Sequence, residues 1–282
     1  MLRKGIALAA LGLSLLGGSA LAATTHEEPK EIHYSFEGPF GKFDKAQLQR
    51  GYKVYREVCA ACHSMKLMSF RNLGDKGGPF YDPEHPNPNE NPVVKALAAD
   101  IQVPDIDGET GDAIQRPATP ADHFPSPFPN EAAARASNGG ALPPDLSVMA
   151  KAREGGPAYI DSILTGYKDP APAGLEVPVG KHYNPYMPGD VSSFWKGSHE
   201  HVPEGGFIAM PPPLADGKVT FDDGTPSTLA NQARDVSAFL MWTAEPKMED
   251  RKAFGFGAMI YLVIFAGLLY ASYRRIWRNV AH

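Results

Sequence analysis

The chain has 282 residues, with 27 prolines, 28 glycines and a formal net charge of -5. That length allows a body of ordinary domain size plus appendages, and the proline and glycine content predicts extensive loop. Acidic residues outnumber basic ones by 32 to 27, which argues against a nucleic-acid footprint and suits a basic partner better.

Residues 1–22 read as an export signal. Arg3 and Lys4 supply the positive end, Ile6 to Leu16 the apolar run and Ala20-Leu21-Ala22 a small-residue cleavage site. The run is short for a membrane span and Gly17-Gly18-Ser19 interrupts it, so cleavage before Ala23 is expected rather than retention as an anchor.

In the body, residues 23–253, the spacing of Leu48, Tyr52, Tyr55, Val58 and Cys59 predicts a helix over Phe43 to Cys62, capped by Asp44. Gly74 to Pro92 is rich in turn residues, Val93 to Ala99 reads as a short helix, and Pro104 to Pro129 again reads as loop. Glu131 to Ala136 and Asp145 to Glu154 look helical, separated by Asn138-Gly139-Gly140 and Pro143-Pro144, and Pro157 to Tyr167 looks like another short helix. Asp169 to Pro213 is loop-like, and so long a loop within a domain is usually functional or packed onto something. Thr225-Pro226 then opens a helix that stops before Pro246. Leu229, Ala233, Val236, Phe239 and Leu240 share its apolar face, which is expected to pack on the first helix. There is no internal repeat and no sustained strand alternation, so the class is mainly α with long loops.

Phe254 to Tyr273 carries no charge and is long enough to cross a bilayer as a helix. Its flanks tie under the positive-inside rule, with Lys247, Arg251 and Lys252 before it and Arg274, Arg275 and Arg278 after it. The export signal breaks the tie, placing the body outside the cytoplasm and leaving residues 274–282 as a short cytoplasmic tail.

Cys59-Ala60-Ala61-Cys62-His63 has the spacing of c-type haem attachment. Two thiols add across the haem vinyl groups to form thioethers, and the histidine that follows can turn its ring to the iron as proximal ligand. A thioredoxin-like redox pair would need a βαβ context, which is missing. A zinc site would need two further ligands at suitable spacing, and there is no second cysteine pair. A plain disulfide gives no reason for the adjacent histidine. The second axial ligand must come from far along the chain. Met65 and Met68 lie too close to His63, and Met149, Met241 and Met248 sit in or beside helices as packing residues. Met187 and Met210 remain, both in proline-stiffened loops, with His85, His123, His182, His199 and His201 as bis-histidine alternatives.

Longer strings carry more information: GYKVYREVCAACHSMKLMSFRNL, ALPPDLSVMAKAREGGPAYI, LTGY, HYNPYMPG, AMPPPL and FDDGTPSTLANQARDVSAFLMWTAEPK before a C-terminal span. With them the chain resembles the cytochrome c1 family, the haem c subunits of quinol–cytochrome c oxidoreductase, the cytochrome bc1 complex. The resemblance implies a class I cytochrome c-like helical domain with long loop insertions, one covalently attached haem c and a C-terminal membrane helix. It implies Met210 as sixth ligand, Arg153 at a haem propionate, Tyr159 and Asn138 lining the pocket, and Pro144 packed on the haem. A carbonyl of the Pro143-Pro144 turn is also a sensible acceptor for the His63 ring N–H. The implied partners are cytochrome b, the Rieske iron–sulfur subunit, a cytochrome c acceptor and membrane lipid, within a dimeric complex in the bacterial inner membrane, haem domain on the periplasmic side. With both axial positions filled the expected role is one-electron relay, with no quinone chemistry in this chain. Some relatives have a disulfide before the methionine ligand, whereas this chain has only two cysteines. Asp105, Asp107, Glu109 and Asp112, and separately Asp222 and Asp223, are candidate docking acids for a basic cytochrome c. The competing functions are a membrane-tethered cytochrome c feeding a terminal oxidase and a periplasmic thiol-redox protein.

Overall fold

A computed structural model of the chain describes residues 26–279, so the expected export signal and the last residues of the tail lie outside the described residues. The fold is mainly helical, with six α-helices among the described residues: α1 Lys45–Glu57, α2 Pro92–Ala99, α3 Glu131–Ser137, α4 Gly156–Thr165, α5 Leu229–Ala244 and α6 Met248–Ile276. Two small antiparallel sheets complete it. One pairs β1 (Gln102–Ile106) with β2 (Ala113–Pro117), the other β3 (His182–Asn184) with β4 (Gly206–Ile208).

The core is built on α1 crossing α5. Leu48, Tyr52, Val54 and Tyr55 face Ala233, Val236, Phe239 and Leu240, all buried. Tyr52 meets the Phe239 ring edge-on at 5.7 Å, and Phe239 stacks on Trp242 at 5.7 Å. Each such side chain contributes about 1.5–3 kcal/mol by leaving water. The crossing is close because α1 carries a glycine there: a Cβ on Gly51 would lie 2.1 Å from the Asp235 carbonyl oxygen. Beside the crossing, Arg50 Nε donates to Asp235 at 2.6 Å and Gln47 Nε2 donates to the same carboxylate at 3.0 Å. The long 169–213 segment has its own small core of Leu175, Tyr183 and Val191 with Trp195 and Phe207 against it.

Several boundaries differ from the sequence expectation. Asp44 does cap α1, accepting from Gln47 N at 3.0 Å, but α1 ends at Glu57 and the cysteine pair continues in a 3-10 turn, Cys59–Ala61. Asn91 caps α2 with bonds from the amides of Val93 and Val94. Asp145 to Glu154 is not an α-helix; only Met149–Lys151 makes a 3-10 turn. Its opening residues give their hydrogen bonds to a distant segment instead: the Asp145 carboxylate takes Ser64 Oγ and Lys66 N, and Leu146 N donates to Ser64 O. Helix α5 starts at Leu229, capped by Thr228, rather than at Thr225. Thr228 is extended, with φ -77° and ψ 155°, and the carbonyls of Pro226 and Ser227 before it accept from the side chains of Asn231 and Gln232. The strands escaped notice because they are short, and β1 and β2 are mostly exposed.

Helix α6 begins inside the body, where Met248 is buried, and continues into an apolar stretch whose side chains from Met259 onward are all exposed. At 1.5 Å per residue its 29 residues span about 43 Å, enough to leave the body and cross a hydrocarbon core of about 30 Å.

Candidate functional site

The cysteine–histidine motif sits where α1 breaks. Val58 leaves helical geometry, and Cys62 N and His63 N both donate to Cys59 O, at 3.1 and 2.9 Å, closing a tight turn that presents three side chains in succession. Both cysteines are free thiols. Burial pushes the Cys59 thiol up to about 12. A redox-active pair needs a lowered thiol pKa, so Cys59 is the reverse of an activated nucleophile.

His63 Nδ1 lies 2.8 Å from Pro144 O. A carbonyl can only accept, so Nδ1 carries the proton and Nε2 is left with its lone pair. Burial lowers the His63 pKa, which keeps the ring neutral as a metal ligand must be. The acceptor is itself held in place. Asp145, next to Pro144, takes Ser64 Oγ at 2.7 Å, Lys66 N at 2.9 Å and Ser147 N at 2.9 Å, and Ser147 Oγ takes Leu67 N at 3.1 Å. Residues 63–67 and 144–147 are thereby zipped together.

Two thiols at a two-residue gap beside a neutral imidazole with an open Nε2 are a donor set that fits covalent haem c. They do not fit zinc. Among the described residues no group of three or more His, Cys, Asp or Glu side chains could hold a metal ion.

The two loop methionines differ in how they are held. Met187 Sδ lies 4.0 Å from the Tyr159 hydroxyl, so its sulfur is already engaged by a weak hydrogen bond. For Met210 the anchor is on the backbone: Tyr167 Oη donates to Met210 O at 2.9 Å. Further support comes from the sheet just before it. Asn184 in β3 donates from Nδ2 to Ile163 O of α4 at 2.8 Å, and β4 pairs with β3 through Asn184 opposite Gly206. A Cβ on Gly205 would meet Asn184 O at 2.5 Å, and its φ of +107° suits glycine. Sheet, glycine contact and tyrosine together brace the Met210 loop without a disulfide.

Arg153 and Tyr159 are neighbours: burial pushes the phenol up, while the Arg153 guanidinium beside it pulls it back. Arg153 is exposed and donates one Nη1 bond to Ala152 O at 3.0 Å. Asn138 is engaged elsewhere, donating from Nδ2 to Ala134 O at 2.7 Å as it ends α3. Among the described residues no hydrogen bond joins it to the cysteine–histidine turn. The two acidic clusters also separate. Asp222 and Asp223 are paired with Lys53 at 2.9 Å and Arg50 at 2.7 Å, and Arg50 also serves Asp235, so their charge is offset only in part. Asp105 pairs with Arg116, while Asp107 uses its carboxylate on the amides of Glu109 and Thr110 at the β1–β2 tip.

A model of the Cytochrome C1 family matches residues 34–280. The chain belongs to the cytochrome c1 family. It is 44% identical to "Cytochrome b/c1" of Bradyrhizobium diazoefficiens over 97% of its own length, spanning 39% of that longer protein. It is 40% identical to cytochrome c1 of Rhodospirillum rubrum, covering 98% of this chain and 97% of the relative. It is 43% identical to the mitochondrial haem protein cytochrome c1-2 of Solanum tuberosum, covering 94% and 93%. Members of the family carry one covalently attached haem c and transfer electrons in the respiratory chain as a subunit of the bc1 complex, and the apolar α6 fits a membrane anchor. Sequence reasoning missed Tyr167 and Asp145. Both act over long separations, 43 residues to Met210 and 81 to Ser64, and a lone tyrosine or aspartate carries no local signal of its partner.

Proposed function

We propose that Cys59 and Cys62 hold the haem as thioethers, with His63 Nε2 as proximal ligand and Met210 as the sixth. The observation that carries this reading is the His63 Nδ1–Pro144 O bond, which fixes the tautomer, orients the ring and leaves Nε2 for iron. When bound, the haem supplies a one-electron iron couple. Asp145 keeps the Pro144 carbonyl in position through its bonds to residues 64, 66 and 147. Arg153, with donors beyond the one used on Ala152 O, binds a propionate; Tyr159 and Asn138 line the pocket, and Pro144 packs on the haem. Held by His63 and Met210, the haem would supply one-electron transfer rather than a site for oxygen or substrate, and the chain would work as a relay.

In this reading electrons enter from the Rieske iron–sulfur subunit and leave for cytochrome c. Helix α6 packs on cytochrome b within a dimeric complex, and no quinone site belongs to this chain. Residues 1–22 are removed on export, residues 23–253 form the haem domain on the periplasmic side of the bacterial inner membrane, 254–273 cross the bilayer and 274–282 remain cytoplasmic. The β1–β2 hairpin, which sets Asp105, Asp107, Glu109 and Asp112 against the single cation Arg116, rather than the ion-paired Asp222 and Asp223, is the acidic face offered to a basic cytochrome c. Its docking weakens as salt rises.

Purification from membranes tests the assignment. The chain should keep a haem stain after denaturation and bring with it b-type haem and a Rieske centre. A stained chain that purifies without them would instead be a membrane-tethered cytochrome c, and loss of the stain on denaturation would sink the thioether assignment.

Tyr167→Phe probes the bracing of the ligand loop. It leaves the half-buried Met210 carbonyl without its donor, a cost of about 0.5–1.5 kcal/mol. The variant should retain covalent haem but bind added cyanide or imidazole faster, as the methionine leaves the iron more readily. Unchanged ligand-exchange kinetics would remove Tyr167 from the bracing.

A further inference from the structure

A short turn in the haem domain, Glu37–Lys42, carries Phe40, whose side chain is 72% exposed although its neighbours Phe36 and Phe43 pack inward. The turn is built to be stiff. Gly38 has φ +69°, and a Cβ on Gly41 would fall 1.9 Å from the Glu37 carbonyl oxygen, so the chain can fold back this tightly only with glycine there. Lys42 N donates to Ser35 O at 3.0 Å and Glu37 N to Tyr34 O at 3.1 Å, closing the loop at its base.

The same turn is bolted to the first turns of α6. Phe43 N donates to Glu249 Oε1 at 3.0 Å, and Lys252 Nζ donates to the carbonyls of Phe36 and Gly41, the latter at 3.3 Å. Past Lys252 the helix carries no charge until Arg274. Within that uncharged run the Phe40 ring meets Phe256 edge-on, centroids 5.5 Å apart. Phe254 and Phe256 are themselves 81% and 53% exposed. Phe40 is thus held at the level of a helix segment that has already entered the apolar stretch, and the exposed Lys42 beside it can reach back to headgroup depth.

We infer that the Glu37–Lys42 turn is a membrane foot of the haem domain: Phe40 enters the headgroup–acyl boundary beside Phe254 and Phe256, giving the body a second point of contact with lipid. The inference rests on α6 being the anchor. Continuity with that helix argues for lipid as the occupant, since Phe40 shares the depth and the ring contact of Phe256. A single helix fixes height but leaves the body free to lean; a second contact off the helix axis restricts the lean. An exposed phenylalanine on a rigid turn is otherwise a cost in water, whereas aromatic and apolar side chains at the interface are favoured.

The test uses the intact complex in nanodiscs of phosphatidylcholine and phosphatidylglycerol. The single substitutions Phe40→Cys on the turn, Phe254→Cys and Phe256→Cys on the helix, and Ile106→Cys on the hairpin would each carry a nitroxide, with the signal of the unsubstituted complex subtracted and the haem spectrum confirming the fold. Collision rates with oxygen, which partitions into lipid, and with a polar nickel chelate report depth. The label at 40 should follow those at 254 and 256, with nickel collisions several-fold below those at 106 and oxygen collisions above them. Lipid-like labels at 254 and 256 with a water-like label at 40 would overturn the foot while leaving the anchor intact. A label at 40 shielded from both reagents would mean that a neighbouring subunit covers the turn, which also overturns it. Water-like labels on α6 itself would remove the anchor on which the inference stands.

Discussion

Replacing Met210 with leucine should lower the reduction potential by on the order of 0.2 V, a sizeable part of the roughly 0.8 V that axial ligation sets. A thioether is a soft ligand that favours the reduced iron, so its loss, or replacement by water or a stronger base, stabilises the oxidised form. Covalent attachment should survive, because the thioethers proposed at Cys59 and Cys62 do not depend on the sixth ligand. The companion change Met187→Leu removes the sulfur that accepts from Tyr159 and should move the potential little. Optical redox titration of both variants decides the matter: a large fall confined to the Met187 variant would reverse the ligand assignment.

Gly51→Ala should be the most damaging small substitution in the body. On helix propensity alone alanine gains about 1 kcal/mol over glycine. Here the added methyl would lie 2.1 Å from the Asp235 carbonyl oxygen and 2.7 Å from Phe239 Cβ, and neither is the end of a flexible side chain. Helices α1 and α5 would have to part, disturbing the Arg50–Asp235 bond and the edge-on Tyr52–Phe239 contact. A net loss of about 3 kcal/mol is expected, which in a domain of this size lowers the unfolding midpoint by roughly 6–12 °C. Gly108→Ala, with open space around it, should change stability by no more than about 0.5 kcal/mol. A Gly51 variant as stable as the Gly108 one would show that the crossing can relax.

What could be read from the sequence was what local chemistry determines. The cysteine–histidine spacing, the Asp44 cap, the apolar faces of α1 and α5 and the long uncharged run each involve residues a few positions apart, and each recurs in the fold. The expected helix at Asp145–Glu154 failed for the opposite reason. Its pattern is helical, but its polar groups find better partners around Ser64, and no periodicity within the segment reveals that. The bracing of Met210 is similarly hidden, since it depends on Tyr167, Asn184 and Gly205 meeting across turns. The division of the acidic residues into an ion-paired couple and a hairpin with an acidic excess also required the distant cations Arg50 and Lys53 to be placed.

Because α6 starts among buried residues and is tied by Glu249 and Lys252 to the Phe36–Phe43 segment, it behaves as a keyed shaft rather than a leash. Each residue inserted between Lys252 and the bilayer would turn the haem domain by about 100° and lift it about 1.5 Å. Azimuth and height are therefore coupled through the screw of the helix, and a single insertion would aim the domain at a different neighbour while scarcely changing its distance from the membrane.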